Sequence, residues 1–286
     1  MDRTNSSDYK MSVMSQDELN IAIQWAKQEG WNPGLQDATA FYAADPRGFL
    51  IGTLGSTPIA TISAVKYGSS FGFIGLYIVK EEFRGQGYGL KLWQEAMQSL
   101  KGRNIGLDGV VAQQENYKKS GFNLAHRNIR FAGRSTQSPA PAAHIRSIKE
   151  VEFSHLEEYD HPFFPERRSA FLKHWVNQEH THTLVILDGA KIVGYGCIRA
   201  CVQGFKIGPL NAEHPDLALE LFTALTHNLP EGSDIFLDIP EVNIQALDMA
   251  KKLGMSPSFE TARMYTSAVP PMPLHKIFGI TSFELG

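Results

Sequence analysis

The stretch from residue 71 to residue 100 constrains this chain most. Phe71–Val79 (FGFIGLYIV) is an apolar, β-branched and aromatic run of strand length. A short charged turn, Lys80-Glu81-Glu82-Phe83, leads into the glycine-punctuated loop Arg84-Gly85-Gln86-Gly87-Tyr88-Gly89. Beyond it Leu90, Trp93, Met97 and Leu100 recur at helical spacing, so an amphipathic helix is predicted over 88–101. A strand, a glycine loop and a helix N-terminus in this order make an anion site. Backbone N–H groups converge there, the helix dipole adds partial positive charge, and glycine lets a phosphate come close. The expected ligand is a phosphorylated cofactor.

Loop chemistry narrows that ligand. A Walker loop needs a Gly-Lys-Ser/Thr ending, which is absent. A dinucleotide fingerprint needs glycines in Gly-x-Gly-x-x-Gly order and an acidic residue about 20 positions on. The order here is Arg-x-x-Gly-x-Gly. Arg84, Gly87 and Gly89 after a strand ending in Ile78-Val79 resemble the pyrophosphate loop of the GNAT acetyltransferase superfamily. A second segment, Asn116-Tyr117-Lys118-Lys119-Ser120-Gly121-Phe122, resembles that family's Tyr-x-Lys-x-Gly-Phe motif. The resemblance implies acetyl-coenzyme A as cosubstrate. Gly30-Trp31-Asn32-Pro33-Gly34, Asp37, residues 44–49, residues 107–110 and Arg263-Met264-Tyr265 look like a tandem, two-domain subgroup of the family.

A chain of 286 residues suits two domains of roughly 140 each. With 43% hydrophobic and 20% charged residues it has material for a sizeable core. The net charge of −3 and the lack of a Lys/Arg block count against a nucleic-acid surface. Two cysteines, Cys197 and Cys201, give no disulfide framework and suit a reducing compartment. Residues 1–9 are polar without an apolar h-region, and no apolar run reaches membrane-spanning length. The expectation is therefore a cytoplasmic protein with no membrane partner. His155, His161, His174, His180 and His182 match no zinc spacing, so no metal is expected.

The first half reads in order as follows. Ser15 caps a helix that runs to Gly30, a turn occupies 31–34, and a second helix spans 37–44. Strands follow at 49–54, 59–67 and 71–79, then the helix at 88–101, a strand at 105–111, a helix at 114–120 and a strand at 124–132. By resemblance this is the GNAT order, with the cosubstrate wedged where the fourth and fifth strands part. Residues 133–143 are small, polar and Pro-rich, which predicts a linker. The second half repeats the order, with strands at 183–187 and 192–200 flanking Asp188-Gly189. A strand at 205–210, a helix at 216–228, a strand at 234–239, a helix at 243–253 and a strand at 259–265 complete it. Leu253-Gly254-Met255 echoes Ser120-Gly121-Phe122, but Ala250 stands where Tyr117 would. Residues 207–214 lack the glycine loop, and Pro209 removes a backbone donor. The expected fold class is therefore α/β (α+β), with two GNAT-like domains in tandem. Each is expected to be a mixed, mostly antiparallel sheet flanked by helices: 1–133, a linker at 134–143, and a degenerate domain at 144–286 that is not expected to bind acetyl-coenzyme A in the usual way.

Acetyl transfer to an amine needs a group to take the amine proton, an N–H donor for the thioester oxygen and an acid for the departing thiolate. The resemblance places the backbone N–H of Ile78 or Val79 at the thioester. It places the loop Arg84, Gly85, Gln86, Gly87, Tyr88 and Gly89 at the pyrophosphate, and Tyr117 as the acid. Gly72–Tyr77 carries no carboxylate, which leaves Asp108 and Asp37 as candidate bases. Both read equally well as turn or helix-start acids. Trp31, Asn32 and Asp37 are the candidate acceptor-binding residues. The reaction so implied is N-acetylation of a primary amine on a small molecule. The alternatives are a coenzyme A-binding sensor without turnover, with an effector site in the second half, and a protein-lysine acetyltransferase.

Overall fold

The computed structural model describes residues 8–137 and 140–286. Among them, thirteen strands join in one sheet. In the first half β1 (Tyr9–Val13), β2 (Phe49–Leu54), β3 (Thr57–Tyr67) and β4 (Phe71–Val79) form an antiparallel meander. β5 (Asn104–Val110) then runs parallel to β4. The second half repeats the plan. β7 (Ile145–Ser147), β8 (Thr181–Asp188), β9 (Lys191–Ala200) and β10 (Phe205–Ala212) meander, and β11 (Asp234–Pro240) runs parallel to β10.

The two repeats do not close on themselves, as separate domains would. Each gives a strand to the other. β12 (Ser256–Tyr265), from the second half, lies between β5 and β6 (Asn123–Arg134), and β6 pairs with β11. Buried ion pairs fix the exchange. Asp108 on β5 faces Arg263 on β12, and Arg130 on β6 faces Asp238 on β11, each pair joined by two hydrogen bonds. The segment expected as a linker begins later than its composition implies: Gly133 and Arg134 still belong to β6, opposite Ile235 and Asp234. Gly133 is small because Met255 covers it, where an added Cβ would lie 2.8 Å from the Met255 Cγ. Two of the linker positions, 138 and 139, fall outside the described residues.

The helices form as their end signals dictate. α1 (Gln16–Gln28) starts on a complete capping box, Ser15 with Glu18. α2 (Asp37–Ala44) follows the 31–34 turn, and α3 (Tyr88–Ser99) follows the glycine loop. α4 (Gln114–Lys119), α5 (Phe153–Asp160), α6 (Ser169–Trp175), α7 (Pro215–Thr226) and α8 (Ile244–Lys252) complete the set, with Asn243 capping α8. One apolar cluster joins α1, α2 and β4 to α5 and α6, so the halves share a core; Phe41 stacks on Trp175 at 6.0 Å. The edge strand β1 is absent from the sequence reading: Tyr9, Met11 and Val13 do alternate with Lys10 and Ser12, but the run is only five residues long, and all but Tyr9 are exposed.

β4 carries the feature that shapes the site. Phe71 and Phe73 face the shared core, and so do Leu76 and Ile78, while Ile74 faces the α3 side. The inward set changes from odd to even numbers. A bulge at Gly75–Leu76 causes this, seen as a register shift against β3 and a φ of 46° at Leu76. Below the bulge β4 pairs with β5 from Phe71 to Ile74; above it the two strands part. In the second half the equivalent gap is filled from within. β13 (Ile277–Gly279) pairs with β10, and the Ile280 N–H donates to the Asp238 carbonyl on β11.

His126, buried on β6, gives the fold a pH dependence. Burial first, and the nearby Arg263 second, push its pKa down from 6.5 to about 4. As pH falls through 6.5 the unfolded chain takes up a proton that the folded one refuses until about pH 4. Stability from this residue is therefore complete above that window and is lost on acidification through it. His126→Gln should lose about 2 to 3 kcal/mol less than the wild type between pH 7 and 4.5 in urea unfolding. Equal losses would show that His126 contributes nothing.

Candidate active site

A cavity of about 850 Å³ occupies the gap between β4 and β5. Its cofactor end is the glycine loop and the start of α3. Gly85, Gly87 and Gly89 line it, whereas Gln86 and Tyr88 do not. Gln86 turns its amide to the Glu82 carbonyl, and Tyr88 packs on Tyr9 of β1 at 4.9 Å. Gly85 and Gly87 have φ of 73° and 85°, which only glycine adopts freely, and an added Cβ on either would meet nothing within 4 Å. The space beside the loop is therefore open to a ligand. Gly89 is small for another reason: a Cβ would lie 2.7 Å from the Tyr77 hydroxyl, so its absence lets α3 sit on β4. The first N–H groups of α3 have no intrahelical acceptors, and Gly87 supplies no side-chain cap. These features fit a pyrophosphate. Arg84 braces the loop, with Nε on the Val79 carbonyl at 2.7 Å and a guanidinium N–H on Glu29 at 2.6 Å.

The middle of the cavity is the β4 edge above the bulge. The Lys80 N–H donates to the Ile59 carbonyl. Alternation along the antiparallel ladder then turns Ile78 toward Thr61 on β3 and Val79 toward the gap. Of the two candidates for the thioester donor, Val79 has the free edge and Ile78 does not. Tyr117, on α4, stands opposite. An added Cβ on Gly109 of β5 would overlap its ring, so that glycine is what lets the ring lie against the strand. Burial, with Tyr77 beside it, pushes the Tyr117 hydroxyl up to about 12. It therefore keeps its proton at neutral pH and can supply it.

The far end is walled by Trp31, Phe259, Phe283 and Glu284. Three of these four come from the second half. The structure also corrects three expectations. Asp108 lines the cavity but is tightly engaged: Arg263 binds both its oxygens, at 2.5 and 2.9 Å, and Asn128 donates to it at 2.8 Å. A carboxylate so engaged is a strut between β5 and β12, not a base. Asp37 does not reach the cavity; it is buried against Arg199 of β9 at 2.9 Å and accepts from the Gly34 N–H. Asn32 likewise faces away, its amide bonded to both backbone groups of Gln203 and its carbonyl accepting from Lys206. Trp31 alone of the acceptor candidates is placed at the cavity, with its carbonyl held by Arg130 at 2.9 Å.

Glu284 was invisible to sequence reading. It is separated from β4 by some two hundred residues, and nothing in Ser282-Phe283-Glu284-Leu285 is periodic or motif-like. The one usable signal was Gly75, a glycine in the middle of an otherwise apolar strand, which marks close approach of another backbone. The Glu284 carbonyl occupies the place a Gly75 Cβ would take.

Comparison with known proteins decides the family. The acetyltransferase (GNAT) family signature matches residues 17–122, and an acetyltransferase (GNAT) domain signature matches residues 156–279. Holothin acyltransferase of Pseudoalteromonas sp. (strain SANK 73390) is 33% identical over 272 residues, covering 95% of this chain and 92% of that protein. The chain belongs to the GNAT acetyltransferase family. It is a tandem GNAT protein and an acyltransferase. The uncharacterized N-acetyltransferase YitH of Bacillus subtilis (strain 168) is 23% identical over 216 residues, 74% of this chain and 76% of its own. A Pyrococcus horikoshii protein has the same fold, with a TM-score of 0.81 at 20% identity over 99% of this chain and 97% of its own. So does a tandem GNAT protein from the clavulanic acid biosynthesis pathway, with a TM-score of 0.63 at 12% identity over 91% and 99% of the two chains.

Proposed function

We propose that this GNAT protein transfers an acetyl group from acetyl-coenzyme A to the primary amine of a small molecule, by direct attack on the thioester. The observation that carries this reading is the single cavity joining an anion-binding helix start to an aromatic wall, with Tyr117 and the Val79 edge between them. Gly87, Gly89 and the α3 N-terminus would hold the pyrophosphate. The cosubstrate supplies the activated acyl carbonyl. The Val79 N–H would face the carbonyl oxygen as negative charge develops there. Tyr117, protonated at neutral pH, would deliver a proton to the departing sulfur.

A small acceptor is favoured by what closes the far end. Trp31, Phe259 and Phe283 offer an apolar wall suited to a compact acceptor body. The name of the 33%-identical relative, a holothin acyltransferase, also points to a small-molecule acceptor. In the second half β13 fills the gap that a cosubstrate would need, so one donor site per chain is proposed. Isothermal titration should detect acetyl-coenzyme A binding, and thiol release with a panel of primary amines should show turnover. Tyr117→Phe should lower kcat by about 100-fold while leaving the affinity for coenzyme A unchanged. Absence of acetyl-coenzyme A binding would refute the reading, and binding without turnover across the panel would mark a sensor.

A further inference from the structure

Glu284 presents an unusual electrostatic situation. The residue is 3% exposed and lines the cavity, yet neither carboxylate oxygen has a hydrogen-bond partner among the described residues. A buried carboxylate normally ends on donors, because leaving it without them costs several kcal/mol. The other acids at the cavity are committed, Asp108 to Arg263 and Glu29 to Arg84. Among the described residues, Glu284 alone of these three acids has no hydrogen-bond partner on either oxygen.

Its placement is built, not accidental. The segment 280–286 leaves β13 with the Ile280 N–H on Asp238, then crosses from the second half's filled gap to the first half's open one. There the Leu285 N–H donates to Ser282 Oγ at 3.1 Å, and the Tyr67 hydroxyl donates to the Leu285 carbonyl at 3.2 Å. Gly75 leaves room for the backbone to lie across the β4 bulge. Phe283, next in line, rests on the Arg130 guanidinium at 4.8 Å, and Arg130 is itself held by Asp238. The carboxylate is thus held beside β4, the strand that lacks one of its own. The charged groups acting on it are Arg130 and Lys206, with Asp238 paired to Arg130 and the Asp108–Arg263 pair also at the cavity.

We propose that Glu284 binds the acceptor as an ammonium ion and acts as the general base of the first-half active site, an inference that rests on the acyltransferase reading above. The acceptor class follows: a primary amine carried on a compact apolar body that fits among Trp31, Phe259 and Phe283. The ammonium enters with three N–H bonds. One proton passes to a Glu284 oxygen and frees the nitrogen lone pair. The N–C bond then forms at the acyl carbonyl as the C–S bond breaks. The second proton of the nitrogen replaces the one that Tyr117 gives to the sulfur, and the third stays on the amide. The proton on Glu284 leaves to solvent, so the products are an amide, a free thiol and one proton.

Glu284→Gln keeps the shape and removes the charge. With acetyl-coenzyme A and an amine that the wild type acetylates, it should lower kcat/KM at pH 7 by about 100-fold or more. Calorimetric affinity for acetyl-coenzyme A should be unchanged, and the melting temperature should hold or rise, since an unpartnered buried charge is gone. Activity of the variant should recover only at high pH, where the amine is free without help. Glu284→Asp should restore part of the activity. Full turnover by Glu284→Gln, or parallel loss of acetyl-coenzyme A binding and melting temperature, would overturn the inference while the acyltransferase reading stands. A wild type that binds no acetyl-coenzyme A, or turns over no amine, would overturn both.

Discussion

Replacing Arg263 with alanine is expected to lower the unfolding free energy by about 3–5 kcal/mol. The side chain is 7% exposed, its guanidinium grips both oxygens of Asp108, and it lies over the Phe73 ring at 5.1 Å. Removing it leaves Asp108, whose side chain has no exposure, with only the Asn128 amide at 2.8 Å and the Thr261 hydroxyl at 3.4 Å. Neither donor carries charge, so the desolvation of the carboxylate goes uncompensated. The matched double variant Asp108→Leu with Arg263→Met removes both charges and should recover most of the loss, because a buried pair replaced by apolar groups of similar volume is nearly neutral. Urea unfolding measures both. A loss below about 1 kcal/mol for Arg263→Ala would mean that water reaches the site and the pair behaves as a surface one. The same experiment separates a strut from a base: a structural Asp108 predicts that the stability change precedes any change in kcat.

How far the sequence carried the fold depends on the range of the interaction that forms each element. Local signals were sufficient for α1, where Ser15 and Glu18 cap each other across three residues, and for β4, whose predicted bounds are the observed ones. They were sufficient for the glycine loop too, because a φ of 85° at Gly87 is a property of that residue. What failed was long-range partnership. Asp37 and Asp108 looked like free acids because their arginines, Arg199 and Arg263, lie more than 150 residues away. β6 and β12 were placed correctly in the chain but could not be placed in the sheet. Strand alternation tells which face is buried and says nothing about which strand sits alongside. Glu284 combines both failures, since no periodicity marks the segment 280–286 and its role depends on a gap in a distant strand.

The exchange of strands carries a second large prediction. The first half, expressed as residues 1–137 without the rest, should not fold into a cooperative unit, although every element of one GNAT repeat is present in it. Nothing prevents β6 from approaching β5 in the fragment, and strand pairing alone favours that. The obstacle is the buried charge. Asp108 would lose Arg263, Asp37 would lose Arg199, and Arg130 would lose Asp238. Each loss leaves one charge stranded at a cost of about 3–5 kcal/mol, and the three together exceed the 5–15 kcal/mol a domain has at the lower end of its range. Phe41 would also lose Trp175, and Tyr67 would lose Phe164, from the core the halves share. Circular dichroism with urea unfolding should show no two-state transition for the fragment. Mixing it with residues 138–286 should restore one, because the partners of β5 and β6 and all three missing charges return together. A fragment that unfolded cooperatively on its own would show that the charges are re-partnered or hydrated in the isolated repeat. The shared sheet would then be a consequence of tandem duplication rather than the condition for the active site to exist.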